Sequence, residues 1–148
     1  MTLRIHATAI VFAGRGVLIR GASGSGKSSL AWRAIAAGGR LVADDYCDLS
    51  LCSGRVVATP PAATFGLMEL RGRGILRLAC ERAAVIRLVV DLLPGPDVPR
   101  LPQREELSTD LLGLALPRQP APACSPLAFS LMKEAIFAAD GASWGLAT

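Results

Sequence analysis

The stretch Gly16-Val17-Leu18-Ile19-Arg20-Gly21-Ala22-Ser23-Gly24-Ser25-Gly26-Lys27-Ser28-Ser29-Leu30 decides the reading of this chain. A short apolar run, Gly16 to Arg20, feeds a loop from Gly21 to Ser28, and the alanine-rich run Ser29 to Ala37 favours a helix beyond it. Strand, loop and helix in that order are what a phosphate-binding P-loop needs. The glycines let the backbone curl until several N–H groups point at anionic oxygens, and the emerging helix adds the positive end of its dipole. Gly21, Ala22, Ser23, Gly24, Ser25, Gly26, Lys27 and Ser28 would then cradle the phosphates of a nucleoside triphosphate. Lys27 would reach the outer phosphates and the Ser28 hydroxyl would ligate Mg2+. A Gly/Ser linker can match by accident, but a linker is not bracketed by an apolar strand and a helix.

Upstream, Leu3 to Phe12 is β-like and Ala13-Gly14-Arg15-Gly16 reads as a turn, so a hairpin leads into the loop. With the turn centred on Gly14-Arg15, position i faces position 29 minus i, which sets His6 opposite Ser23. A histidine there could pair with charge or move protons, or it could be a structural hydrogen-bonder. Downstream, Gly38-Gly39 stops the helix and Arg40 to Ala43 rises as a buried strand ending in Asp44-Asp45. Ten helical residues cover roughly 15 Å, enough to run back along a sheet, so a right-handed crossover returns both aspartates to the loop's edge of the sheet. Adjacent carboxylates there can hold magnesium or accept a proton.

The remainder reads as alternating strands and loops. Tyr46 to Leu51 turns at Ser53-Gly54 and returns through Arg55 to Ala58. Gly66 to Leu76 holds an isolated strand with Glu69, which is either a site acid or half of a surface ion pair. Ile86 to Leu92 is a buried strand with Asp91 near its end, a rival magnesium carboxylate. Pro94 to Gln103 is a proline-rich loop, Leu111 to Leu116 a last strand, Pro117 to Pro126 another loop, Leu127 to Ala139 a terminal helix and Asp140 to Thr148 a frayed tail.

Composition agrees with one domain spanning residues 1–148, because a 148-residue chain that is 51% hydrophobic can bury one core. The net charge of +4 comes from scattered arginines, with only Lys27 and Lys133 as lysines. Without a basic stripe or aromatics spaced for stacking, a nucleic-acid groove is not expected. Cys47, Cys52, Cys80 and Cys124 form no Cys-x-x-Cys pair, so reduced thiols are the expectation. No signal-peptide core and no membrane-length apolar run is present, and a soluble cytoplasmic protein is expected.

Four blocks in order resemble the bacterial HPr kinase/phosphorylase family: His6, the loop Gly21 to Ser28, Arg40-Leu41-Val42-Ala43-Asp44-Asp45, and Met68-Glu69-Leu70-Arg71-Gly72-Arg73-Gly74-Ile75. The resemblance covers about the first half of the chain. It implies an α/β P-loop kinase domain, a mixed sheet with a β-hairpin leading into the P-loop and a C-terminal helix. It also implies an ATP- and magnesium-dependent protein serine kinase acting on the phosphocarrier HPr, with reverse phosphorolysis in many members and a tendency to form hexamers. Carried over, His6 matches the active-site histidine, Lys27 the phosphate-binding lysine, and Ser28 and Glu69 the magnesium ligands. Asp44 matches the proton-accepting carboxylate, with Asp45 in support. The chain looks like the short, kinase-domain-only version, and the family's basic loop with its catalytic arginine is not found in Pro117 to Leu131. A small-molecule kinase and a non-catalytic nucleotide-binding sensor are the alternative readings. Intact Lys27, Asp44 and Glu69 speak against the sensor.

Overall fold

A computed structural model describes residues 2–139; the tail expected from Asp140 to Thr148 lies outside them. The first strand, β1 (Thr2–Ile5), is followed by β2 (Thr8–Phe12), β3 (Arg15–Gly21), α1 (Lys27–Ala36) and β4 (Arg40–Ala43). Next come β5 (Cys47–Cys52), β6 (Arg55–Thr59), β7 (Leu67–Leu70), β8 (Gly74–Arg77) and β9 (Ala84–Leu93). β10 (Ser108–Leu111), β11 (Leu114–Pro122) and α2 (Leu127–Ala139) complete the described chain.

The fold is a mixed α/β arrangement of one large curled sheet and two helices, with strand order β1-β5-β6-β9-β3-β2-β4. β9 is its pivot. Along one side β9 runs parallel to β3. On the other side it pairs antiparallel with β6 at Val85 and Ala84, then parallel with β11 from Val89 to Leu93. Period-2 alternation divides the interior in two. Val17 and Ile19 of β3 join Leu88, Val90 and Leu92 of β9 under both helices, where Met132 and Ile136 anchor α2. Leu18 faces the opposite core with Leu49, Val56 and Val89, enclosed by the curl of the sheet. Each fully buried side chain of this size contributes about 1.5–3 kcal/mol.

α1 begins at the lysine of the glycine loop and ends where Gly38 enters the left-handed region at φ 105°. The N–H groups of Gly38 and Gly39 close onto Ile35 and Ala34 carbonyls at 3.0 and 2.8 Å, the glycine stop expected from the sequence. β4 follows as expected and pairs antiparallel with β2, which separates it from β3.

Several expectations change. Leu3 to Phe12 is two strands, because β1 pairs with β5 while only β2 pairs with β3. The β2–β3 register joins Thr8 to Ile19 and Phe12 to Arg15, so position i faces position 27 minus i. The turn is Ala13-Gly14, both left-handed at φ 51° and 77°, a geometry whose twist suits a two-residue hairpin. Second, the Glu69 strand is not isolated: β7 and β8 form a separate two-stranded ribbon. Third, the expected Pro117–Pro126 loop is largely strand, since β11 runs to Pro122. β11 has only β9 beside it there, and Pro120 and Pro122, two residues apart, share the side of the ladder that needs no N–H donor. Last, the strand expected at Leu111 to Leu116 is a hairpin, β10 turning through Leu112 and Gly113 into β11.

Candidate active site

Gly24 and Gly26 stand in the left-handed region at φ 80° and 95°, folding the loop after β3 into a concavity of backbone N–H groups. Gly21 leaves no room for a side chain, since a Cβ there would lie 2.4 Å from Ser25 Oγ. The first turn of α1 carries no acid of its own, and its positive end favours an anion. Lys27 is buried and its Nζ donates to the carbonyls of Gly21 and Ala22 at 2.8 and 3.1 Å. The Ser25 hydroxyl is buried with no hydrogen-bond partner among the described residues.

The two aspartates differ sharply. Asp44 is 7% exposed, and its Oδ1 accepts hydrogen bonds from Ser28 Oγ at 2.7 Å and Thr8 Oγ1 at 3.1 Å. Asp45 has a left-handed backbone at φ 70°, which aspartate tolerates better than most residues, and a side chain 63% exposed. Its Oδ1 lies 2.7 Å from His6 Nε2, and its N–H donates to Thr8 Oγ1. Thr8 therefore spans the pair, donating to one aspartate and accepting from the next. The sequence alone does not single Thr8 out, and its one signal is a threonine on the strand beside β4.

A cavity of about 570 Å³ brings these elements together. Ser23, Lys27 and Ser28 line it from the loop, His6 and Asp45 from the sheet edge, and Glu69 from the ribbon. Arg33 of α1, Arg71 of the ribbon and Cys124 also line it, none of them given a site role from the sequence. Cys124 belongs to the segment joining β11 to α2, and its N–H and Sγ donate to Ser25 O and Gly24 O at 3.0 and 3.2 Å.

His6 thus shares a cavity with Ser23 as expected, but by another route. It lies between β1 and β2, outside the hairpin ladder, and its partner is Asp45. Asp44, read as the proton acceptor, does not line the cavity; it is buried and already accepts two hydroxyl protons. Asp91 is no rival for a metal. Its carboxylate binds Arg20 at 2.7 and 2.9 Å and also Arg118, on the opposite face of β9 from Val90 and Leu92. Burial alone would raise its pKa, but the hydrogen bonds and charges of Arg20 and Arg118 outweigh that and hold it below the usual carboxylate range. All four cysteines are free, and burial, helped by the charge of Asp48, pushes the Cys47 thiol up to about 12. Among the described residues no helix is long and apolar enough to cross a membrane.

A glycine loop heading a helix thus faces an acid–histidine pair across one cavity. The chain belongs to the HPr serine kinase family: the family described as HPr Serine kinase C-terminal domain matches residues 1–118. It is 36% identical over 145 residues to an HPr kinase/phosphorylase of Aromatoleum aromaticum, covering 90% of this chain and 46% of that protein. It is 42% identical over 73 residues to the HPr kinase/phosphorylase of Clostridium tetani, covering 49% of this chain and 24% of the relative. The chain thus spans less than half the length of these curated relatives. The fold is shared with the Hpr(Ser) kinase/phosphatase of Coxiella burnetii, at a TM-score of 0.80 and 24% identity over 94% of this chain and 93% of that one.

Proposed function

We propose that residues 1–148 act as one P-loop catalytic domain, a cytoplasmic ATP- and magnesium-dependent protein serine kinase whose substrate is an HPr-type phosphocarrier. The observation that carries the reading is the meeting, in one cavity, of the loop bearing Lys27 and Ser28 with the exposed Asp45–His6 pair.

The loop's chemistry fits triphosphate. The left-handed glycines and the start of α1 turn backbone toward an anion, the Ser25 hydroxyl is a donor without an acceptor, and Lys27 would exchange two carbonyls for phosphate oxygens. Ser28 donates its hydroxyl hydrogen bond to Asp44, so the lone pairs of Oγ stay available to a cation, with Glu69 across the cavity as the anionic ligand. Magnesium held there would supply charge neutralisation at the transferring phosphoryl group.

On this reading the two aspartates take different roles. Asp45 takes the proton from the substrate serine, because it is the carboxylate exposed in the cavity, and His6 Nε2–H orients it. Asp44 stays in place as the acceptor that holds Ser28. The serine oxygen bonds to the γ-phosphorus as the bond to ADP breaks. Reverse phosphorolysis would return the proton from Asp45.

The test is incubation of the pure protein with γ-labelled ATP, magnesium and a panel of small phosphocarrier proteins, followed by mapping of the label. Phosphoserine on an HPr-type protein is expected. Label on a small molecule alone, or nucleotide binding without transfer, would reject the proposal.

A further inference from the structure

The β1–β5 ladder joins Thr2 to Ser50, Leu3 to Leu49, Arg4 to Asp48 and Ile5 to Cys47. One more step of that register sets His6 against Tyr46. The strands end there, yet the two rings remain in contact, their centroids 5.3 Å apart and their planes tilted by 42°. Two residues back, on the same face of the ladder, Arg4 clasps Asp48 with bonds of 2.7 and 3.0 Å and holds the strand ends together.

Tyr46 is an expensive residue for this place. It is 47% exposed, and its hydroxyl makes no hydrogen bond among the described residues. Its backbone is fixed by a bond from its N–H to Asp44 O at 2.8 Å, directly after the left-handed Asp45. The backbone that carries the ring is therefore held beside an imidazole that is itself partly exposed. A half turn of that imidazole would carry Nε2 away from Asp45, and a neighbouring ring restricts that turn.

We propose that Tyr46 is a positioning residue that fixes the plane of His6 so that Nε2–H points at Asp45. The inference rests on the reading of His6 and Asp45 given above only for its kinetic consequence. Its structural content can be measured separately, because His6 is the chain's single histidine and its imidazole signals are unambiguous.

Nitrogen-edited spectra of the purified protein, its Tyr46→Phe and Tyr46→Ala variants, and single-turnover transfer from ATP decide it. The native protein should show cross-relaxation between the two rings and one dominant, Nε2-protonated tautomer. Tyr46→Phe should retain both. Tyr46→Ala should mix the tautomers and slow the chemical step by about fivefold, the scale of one cross-strand aromatic pair, with nucleotide KM unchanged. A native tautomer ratio in Tyr46→Ala, or a Phe variant behaving like the Ala variant, overturns the proposal. His6→Ala separates the two readings. If it transfers phosphate at the native rate while Tyr46→Ala scrambles the tautomers, the positioning stands and the catalytic part given to His6 falls.

Discussion

Ser28 Oγ lies 2.7 Å from Asp44 Oδ1, so the first turn of α1 is tied to the residue that follows β4. Neighbours in sequence, Asp44 and Asp45 then serve different sides of one wall: the first braces the loop from below, the second faces the cavity.

Their substitutions should separate accordingly. Asp45→Asn should bind nucleotide and magnesium nearly normally yet lose about 10² to 10⁴-fold in the chemical step, the usual share of a general base. Asp44→Asn should chiefly raise the magnesium requirement, since Ser28 loses its acceptor. Nucleotide affinity and single-turnover rates on both variants check this, and the opposite ranking would return the base to Asp44.

Lys27→Ala should leave a folded protein with nucleotide affinity lowered by roughly 10 to 100-fold, because charge-assisted bonds contribute about 1.5–3 kcal/mol. Two carbonyls lose a donor, so stability should fall by only about 1 kcal/mol. Calorimetric titration and a thermal melt measure the two effects; native affinity would remove the phosphate role from the loop.

Glu69→Gln should shift the half-saturating magnesium concentration upward and regain much of its rate at high magnesium, an amide being a poorer ligand for a hard cation. A magnesium titration of transfer decides the point. The same phenotype in Asp91→Asn, with Glu69→Gln unaffected, would move the ligand to the other face of β9.

Asp91 should instead govern acid stability. Its folded pKa is lowered, so its stabilisation is fully present above the unfolded value of about 3.9 and is lost as pH falls through the folded one. Asp91→Asn should therefore be destabilised at neutral pH, by less than the about 3–5 kcal/mol of a fully buried pair because Arg20 keeps 30% exposure. Its urea midpoint should also flatten below pH 4. A midpoint that tracks the native protein across that range would refute the assignment.

What the sequence made legible was local. The glycine loop, α1, β4 and the β5–β6 hairpin follow from short-range period and turn residues. The β1–β5 and β9–β11 pairings were hidden because they join segments far apart, and the second runs through prolines that argue for a loop until an edge position makes them harmless. The alternation of β9 does bear on Asp91: residues 88, 90 and 92 share the helix side, which turns 91 away. No such pattern separated Asp44 from Asp45, since burial by Thr8 and a left-handed backbone are tertiary facts.

The parallel pairing of β3 with β9 also bears on how the chain reaches this state. Arg20 and Asp91 are 71 positions apart, so the strand that carries the glycine loop leaves the ribosome well before its second neighbour exists. Non-local parallel pairing is slow because the closing entropy precedes the reward. Until β9 arrives, β3 is an open edge able to accept strands from other chains. The loop most exposed to selection for chemistry is thus among the last to gain a firm base, and nascent-chain handling should weigh on yield more than equilibrium stability does.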